Sequence, residues 1–348
     1  MLSALDAPVV VAPMAGGPTT PELVAAVIGA GGSGFLAGGG LDAAGLRAAI
    51  AALRGLTDRP FGVNLFLPDE RHDDGVAQYR DRLAGVGLPA GDPDWSDDAY
   101  PDKIAVLLAD PVPVVSFTFG CPDAATVERL HEVGSQVVAT VTTPAAARHA
   151  AGVGVDALVV QGMEAGAHRG VFDNDPAHPQ GGEMFGLLAL LRLVAAEVAL
   201  PLIAAGGIMD GAGLAAVLAA GASAAQLGTA FLGCPEAGTH PAHRAALATP
   251  GGPGTEITRA FTGRPARSIR NAFLDAHTAV APAAYPQVHN MTRPIRAGGD
   301  PAVSNLWAGQ GYPLGRQLPA AELVVALLAE ARGAAGQASL RLAARMAR

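Results

Sequence analysis

The densest polar cluster in the chain is Gln161-Gly162-Met163-Glu164-Ala165-Gly166-Ala167-His168-Arg169-Gly170. An imidazole with an ordinary pKa of about 6.5 can move a proton near neutral pH, which makes His168 the candidate base. Glu164 reads as structural, and Arg169 either holds an anion or ties the loop to Asp173 or Asp175. Asn64 is an amide inside the apolar run Phe61-Gly62-Val63-Asn64-Leu65-Phe66. Burying it unpaired costs about 1–3 kcal/mol, so it needs a ligand or neighbouring backbone. Ala205-Gly206-Gly207-Ile208 and Gln226-Leu227-Gly228-Thr229 offer bare backbone N–H groups, and one hydroxyl, to a phosphate. Ala12-Pro13-Met14-Ala15-Gly16-Gly17 gives small residues and a polarizable thioether that a flat ligand can approach, although an ordinary tight loop would look the same.

Other candidates carry less. His240 and His243 lack a clear third ligand, so no metal is expected. Cys121 precedes Pro122 at a helix start with no fixed base nearby, and reads as a small packed or capping residue. Tyr285, Trp307 and Tyr312 either roof a pocket or pack onto the body of the protein.

Short apolar runs alternate with helical patterns and must position these residues. The runs are Val9–Ala12, Gly34–Leu36, Phe61–Leu65, Val114–Phe117, Val137–Thr140, Ala157–Val160, Leu202–Ala205 and Ala224–Leu227. Thr20 and Pro21 supply an N-cap and a first-turn proline for the first helix. A polar excursion from Pro68 to Asp110 interrupts the alternation. Eight strands separated by helices predict an α/β fold, a parallel (β/α)₈ TIM barrel, in which chemistry sits at the C-terminal strand ends. The histidine loop, the two glycine loops and Ala12–Gly17 follow or end these strands, and Asn64 lies on the third. Residues 233–318 lack clear strand alternation and read as a smaller insertion after strand eight, capping the active site. The barrel then comprises 1–232 and 319–348, with a closing helix at 319–345. Gly29, Gly31 and Gly34 match G-x-G-x-x-G, but they follow a helix and precede a strand, the reverse of a dinucleotide fingerprint.

Composition narrows the function. Half of the 348 residues are hydrophobic and mean hydropathy is +0.31, which raises the question of a membrane span. In the least polar stretch, from Val198 to Pro235, Asp210 is the only charge. Its glycines break it into buried strand, turn and helix rather than a span. Net charge is −8 with a single lysine, Lys103, so nucleic acid is not an expected partner. The segment Met1-Leu2-Ser3-Ala4-Leu5-Asp6 has no basic region or long apolar core, so no secretory signal is expected. Two cysteines are too few for a disulfide framework and point to the reducing cytoplasm.

Taken in order, the motifs resemble the nitronate monooxygenases, flavin enzymes formerly called 2-nitropropane dioxygenases. Those that carry the likeness are Ala12–Gly17, Phe61–Asn64, Gln161–Gly170, Ala204–Ile208, Gln226–Thr229 and Leu306-Trp307-Ala308-Gly309-Gln310, and they span nearly the whole chain. The resemblance implies FMN across the barrel mouth. Ala12, Pro13 and Met14 would flank it, Asn64 and Gln161 would hydrogen-bond it, and Gly166 would pass close to it. Gly206, Gly207, Gln226, Leu227, Gly228 and Thr229 would hold its phosphate end. It implies His168 as the base, and a nitronate or nitroalkane plus O₂ as substrates, with oxidative denitrification to a carbonyl compound and nitrite; propionate 3-nitronate is one example. A related FMN barrel that reduces a quinone or enoyl thioester with NAD(P)H is the alternative. The family often has Gly-Gly-His where this chain has Gly166-Ala167-His168, and a methyl at 167 fits comfortably only if its φ is negative.

Overall fold

A computed structural model describes residues 6–346. The segment read for a secretory signal therefore lies almost wholly outside the described residues. In chain order the elements are β1 (Val9–Val11), α1 (Pro21–Gly29), β2 (Ser33–Ala37), α2 (Ala43–Arg54), β3 (Gly62–Phe66), α3 (Val76–Gly85), α4 (Tyr100–Ala109), β4 (Val114–Thr118), α5 (Ala124–Glu132), β5 (Gln136–Val141) and α6 (Pro144–Val153). They continue with β6 (Ala157–Gln161), β7 (Ala167–His168), α7 (Leu187–Glu197), β8 (Leu202–Ala205), α8 (Gly211–Ala219), β9 (Ala224–Leu227), α9 (Pro241–Leu247), β10 (Thr255–Thr258), β11 (Ala266–Ile269), α10 (Ala272–His277), α11 (Gln287–Arg296) and α12 (Ala320–Met346).

Strands β1 to β6, β8 and β9 close into a parallel barrel, the expected (β/α)₈ architecture. Alternate side chains face opposite ways along a strand. Val10, Phe35, Val114, Val138, Val159 and Ile203 fill the interior. Val9, Val11, Val63, Leu65, Val115 and Phe117 belong to the larger cluster that joins the strands to the surrounding helices. With both faces covered, the strands read as continuous apolar runs. Thr20 caps α1 by accepting the Leu23 N–H at 3.0 Å, with Pro21 in the first turn as expected. The 198–235 stretch, charged only at Asp210, resolves into β8, α8 and β9, and among the described residues no helix is long and apolar enough to cross a membrane.

Segment 233–318 holds a feature that its sequence conceals. β10 and β11 form an antiparallel hairpin, and β11 pairs in turn with the two-residue β7, placing Ala266 opposite His168. Two four-residue strands, separated by a loop containing Gly263 and Pro265, give too short a run for alternation to show. A second apolar core lies beside the barrel. It combines Phe261, Phe273, Val288 and Met291 with Val76, Tyr79 and Leu83 of α3. The β3–β4 excursion, which the sequence assigns to the barrel, thus contributes a helix to this second core.

Candidate active site

A cavity of about 1120 Å³ opens at the C-terminal ends of the strands, and all the expected site residues line it. The strand register explains how they meet. Asn64 and Ser116 occupy paired positions on β3 and β4. Ser116 and Thr118 hydroxyls donate to Asn64 Oδ1 at 2.9 and 3.1 Å. The amide is therefore oriented by neighbouring side chains, not by backbone, and its Nδ2 has no partner among the described residues. Gln161, Ala205 and Gln226 lie side by side on β6, β8 and β9. Gln161 is committed to its own loop: its Nε2 donates to the His168 carbonyl at 3.1 Å, and Gly170 N–H donates to its Oε1 at 2.7 Å. It fixes the C-terminal end of β7 through one amide.

His168 stands in an aromatic box. The rings of Phe66, Phe119, Tyr285 and Trp307 have centroids 5.3–6.2 Å from the imidazole. Its Nε2 lies 2.9 Å from Thr262 Oγ1. Burial first, and then the neighbouring His289, Arg264 and Arg296, push the His168 pKa down to about 3. The ring is neutral across the working pH range. Behind the box, Arg264 is fully buried, pairs with both carboxylate oxygens of Asp69, donates to the Val171 carbonyl at 2.8 Å, and stacks 4.1 Å from the Phe119 centroid.

The loop that carries His168 packs closely on the C-terminal part of segment 233–318. A Cβ on Gly166 would fall 2.5 Å from the Gly309 nitrogen, so a side chain there would push the two strands of chain apart. Glu164 is structural, as expected: both its oxygens accept the Leu187 N–H that starts α7. Arg169 ties to neither Asp173 nor Asp175. It reaches Met184 Sδ at 2.6 Å and the Glu183 carbonyl at 3.0 Å, while Asp175 bonds His178. Ala167 contradicts the expected backbone: its φ is +60°, in the left-handed region.

Opposite, the loop after β1 is tied by a residue that sequence reading missed. Thr19 Oγ1 accepts the Met14 N–H at 2.8 Å and donates to the Ala12 carbonyl at 2.9 Å. Met14 Sδ lies 3.6 Å from where a Gly228 Cβ would be. Among the described residues no protein acceptor takes the N–H of Gly207, Gly228 or Thr229. Gly207 holds φ +69° and has Glu164 Cβ 3.0 Å from its own Cβ position, so only glycine suits that turn. Thr229 Oγ1 accepts the Gly309 N–H at 2.9 Å, leaving its own proton to donate.

Tyr285 and Trp307 reach the cavity, but Tyr312 is buried in a separate cluster with Ile269 and Leu306. Cys121 is not a cap: Asp123 caps α5, and burial pushes the thiol up to about 11. His240 Nδ1 accepts the Ala242 N–H, and burial holds His243 down to about 4. Thr262, His289, Arg293 and Arg296 also line the cavity and were missed. His289, Arg293 and Arg296 share one helical face, but Pro294 and the surrounding Gly- and Pro-rich sequence hide α11.

A profile of the nitronate monooxygenase family matches residues 1–330. The chain belongs to that family. It is accordingly an oxidoreductase. It is 42% identical over 343 residues to the nitronate monooxygenase of Paraburkholderia phytofirmans, covering 94% of this chain and 92% of that one. It is 41% identical over 349 residues to that of Pseudomonas aeruginosa, covering 95% and 98%. The solved structure of nitroalkane oxidase from Streptomyces ansochromogenes superposes with a TM-score of 0.93 at 49% identity, over 97% of this chain and 99% of that one.

Proposed function

We propose that this protein is an FMN-dependent nitronate monooxygenase of the cytoplasm that converts alkyl nitronates and O₂ to carbonyl compounds and nitrite. The observation that carries the reading is a neutral His168 facing a cavity that contains arginines and, among the described residues, no carboxylate. Such a cavity suits an anion.

FMN fits the residues present. The unclaimed N–H groups of Gly207, Gly228 and Thr229, with the Thr229 hydroxyl, are donors that would hold its phosphate. Asn64 Nδ2 would donate to the ring system, and Ala12, Pro13 and Met14 would lie against it. Gly166 keeps the histidine loop low enough to leave room. When bound, the flavin supplies the one-electron and oxygen chemistry.

The chain's own part is binding and orientation. A nitronate is already ionised, so no proton need leave its carbon. The neutral imidazole of His168 donates an N–H to a nitronate oxygen, and the aromatic box keeps bulk water away from it. A ring that holds a proton only below about pH 3 is a weak base for a neutral nitroalkane, which makes the nitronate the preferred form. Free thiols at Cys121 and Cys234 agree with a reducing compartment.

Purified protein should be yellow, release its flavin on denaturation, and form nitrite with O₂ uptake from an alkyl nitronate. His168→Ala should retain flavin and lose roughly 10²-fold in kcat/KM for the nitronate, the upper scale of a lost hydrogen bond to a charged group. Absence of nitrite together with rapid anaerobic bleaching by NADH would overturn the reading in favour of a reductase.

A further inference from the structure

We infer that Thr239 and His243, at the start of α9, form a subsite for a neutral hydroxyl that the substrate carries away from its nitronate. The inference rests on the nitronate reading and narrows its substrates to hydroxylated nitro compounds.

Unpartnered polar atoms are the first ground. Among the described residues, six buried side-chain atoms have no hydrogen-bond partner. Only two of them, Thr239 Oγ1 and His243 Nε2, belong to residues that line the cavity. Thr239 is 5% exposed and His243 9%. A buried polar atom left unpaired is costly, and a ligand group of the right polarity removes that cost.

The second ground is the chemistry of the pair. His243 donates to the Trp307 carbonyl, and since Nε2 has no partner the donor is the other ring nitrogen. Burial holds the ring neutral, with its pKa down to about 4. A neutral imidazole has one donor and one acceptor, so Nε2 keeps a lone pair and accepts. An anionic oxygen has no proton to give it. The Thr239 hydroxyl both donates and accepts. The next residue but one to Ala242 brings no charge to this wall: Arg244 spends its guanidinium on the carbonyls of Gly233, Ala237 and Thr239. A ligand hydroxyl answers both orphaned atoms, donating to the imidazole or pairing with the threonine.

The third ground is placement. Trp307 joins the subsite to the reacting position, because its ring centroid lies 5.7 Å from that of His168 while its carbonyl holds His243. The wall itself is fixed. Arg244 pins the Thr239 carbonyl, and Gly238 leaves no room for a Cβ against the Gly17 carbonyl. The cavity of about 1120 Å³ exceeds the roughly 300–1,000 Å³ of a single small-molecule site, which leaves space for a chain beyond the reacting group. The donors proposed for the phosphate are elsewhere, on Gly207, Gly228 and Thr229.

The test compares nitronates of ω-nitro alcohols with isosteric nitronates in which a methyl replaces the hydroxyl, over a series of chain lengths. At the length that reaches α9, wild-type kcat/KM should favour the hydroxylated compound roughly 10-fold, the scale of satisfying a buried polar group. His243→Phe and Thr239→Val should each lower that preference roughly 3-fold, chiefly through KM, and together abolish it. Two further readouts are independent of turnover. Thr239→Val removes a buried unpaired hydroxyl and should raise the Tm of the purified, substrate-free protein by about 2 °C. Butanediol, an unreactive probe, should change tryptophan fluorescence, to which the cavity residue Trp307 contributes, saturably in the wild type and not in the double variant. A preference absent at every length, or unmoved by the substitutions, overturns the subsite. So does a lowered Tm, which would show the hydroxyl already satisfied. Loss of flavin from the variants overturns it by giving these atoms to the cofactor's own hydroxyls. If no nitronate is turned over, the proposed function fails alone and the butanediol titration still decides the subsite: saturation lost in the double variant supports it, and no saturation in the wild type overturns it.

Discussion

Ala167 holds φ +60° one residue before the candidate base. A left-handed backbone costs a residue with a Cβ about 1–2 kcal/mol, and persists where surrounding structure over-determines it. Here the pairing of Ala167 with Arg267 and of His168 with Ala266 does so. The sequence shows the methyl but not the sign of φ, because the dihedral is set by a strand about a hundred residues away. Glycine relieves the strain but makes the unfolded chain more flexible by about 0.4–1 kcal/mol. Ala167→Gly should therefore raise stability by about 0.5 kcal/mol. Denaturant melts check this, and a clear loss of stability would show that the methyl packs usefully. His168 itself was legible as a candidate from its polar loop, but its protonation was not. The ordinary value suggested a base near neutral pH, whereas four rings and two arginines hold the site neutral.

At the scale of elements, the decisive piece is the β10–β11 hairpin. It pairs with β7 along one edge and brings Thr262 against the imidazole. Its loop is locked by Arg264 on Asp69, a residue from the β3–β4 excursion. Two segments outside the alternating βα pattern thus hold β7, the strand that carries His168, between them. Removing one partner of a buried pair leaves the other uncompensated, at a cost of about 3–5 kcal/mol. Asp69→Asn should lower stability by about 3 kcal/mol and reduce turnover at nitronate saturation, since Phe119 and Thr262 lose their support. Retained stability in calorimetry would show that the carbonyls of Val171 and Phe172 suffice to hold Arg264. The barrel strands were readable almost residue by residue because each buries both faces and is bounded by glycine or a cap. The hairpin and α11 were not, since short strands and a helix containing Pro294 carry no lasting period.

For the whole molecule, histidines held below their ordinary pKa couple pH to stability. His168 and His289 are held to about 3 and His243 to about 4, all below the ordinary 6.5. Between those values the unfolded chain binds protons that the folded one refuses, so stability rises with pH across this window and is lost as pH falls below about 6.5. Acid unfolding should begin before most carboxylates titrate. His243→Gln should flatten the dependence between about pH 4 and 6.5, and an unaltered slope in melts across that range would refute the assignment. An acidic exterior around a cationic cavity also means that an anionic substrate is drawn in only at close range, where the low-dielectric walls focus the field.

By itself the sequence determined the barrel and set the histidine and the two glycine loops, proposed here to hold a phosphate, at its strand ends. Each is a local consequence of burial period, capping or glycine at a turn, and so is written in neighbouring residues. Only the tertiary structure decided that the histidine is neutral, that Thr262 and Tyr285 border it, that Gln161 serves its own loop, and that two arginines of α11 face the cavity without a carboxylate. These depend on which distant segments pack together, and electrostatic character in a cavity is the sum of all of them.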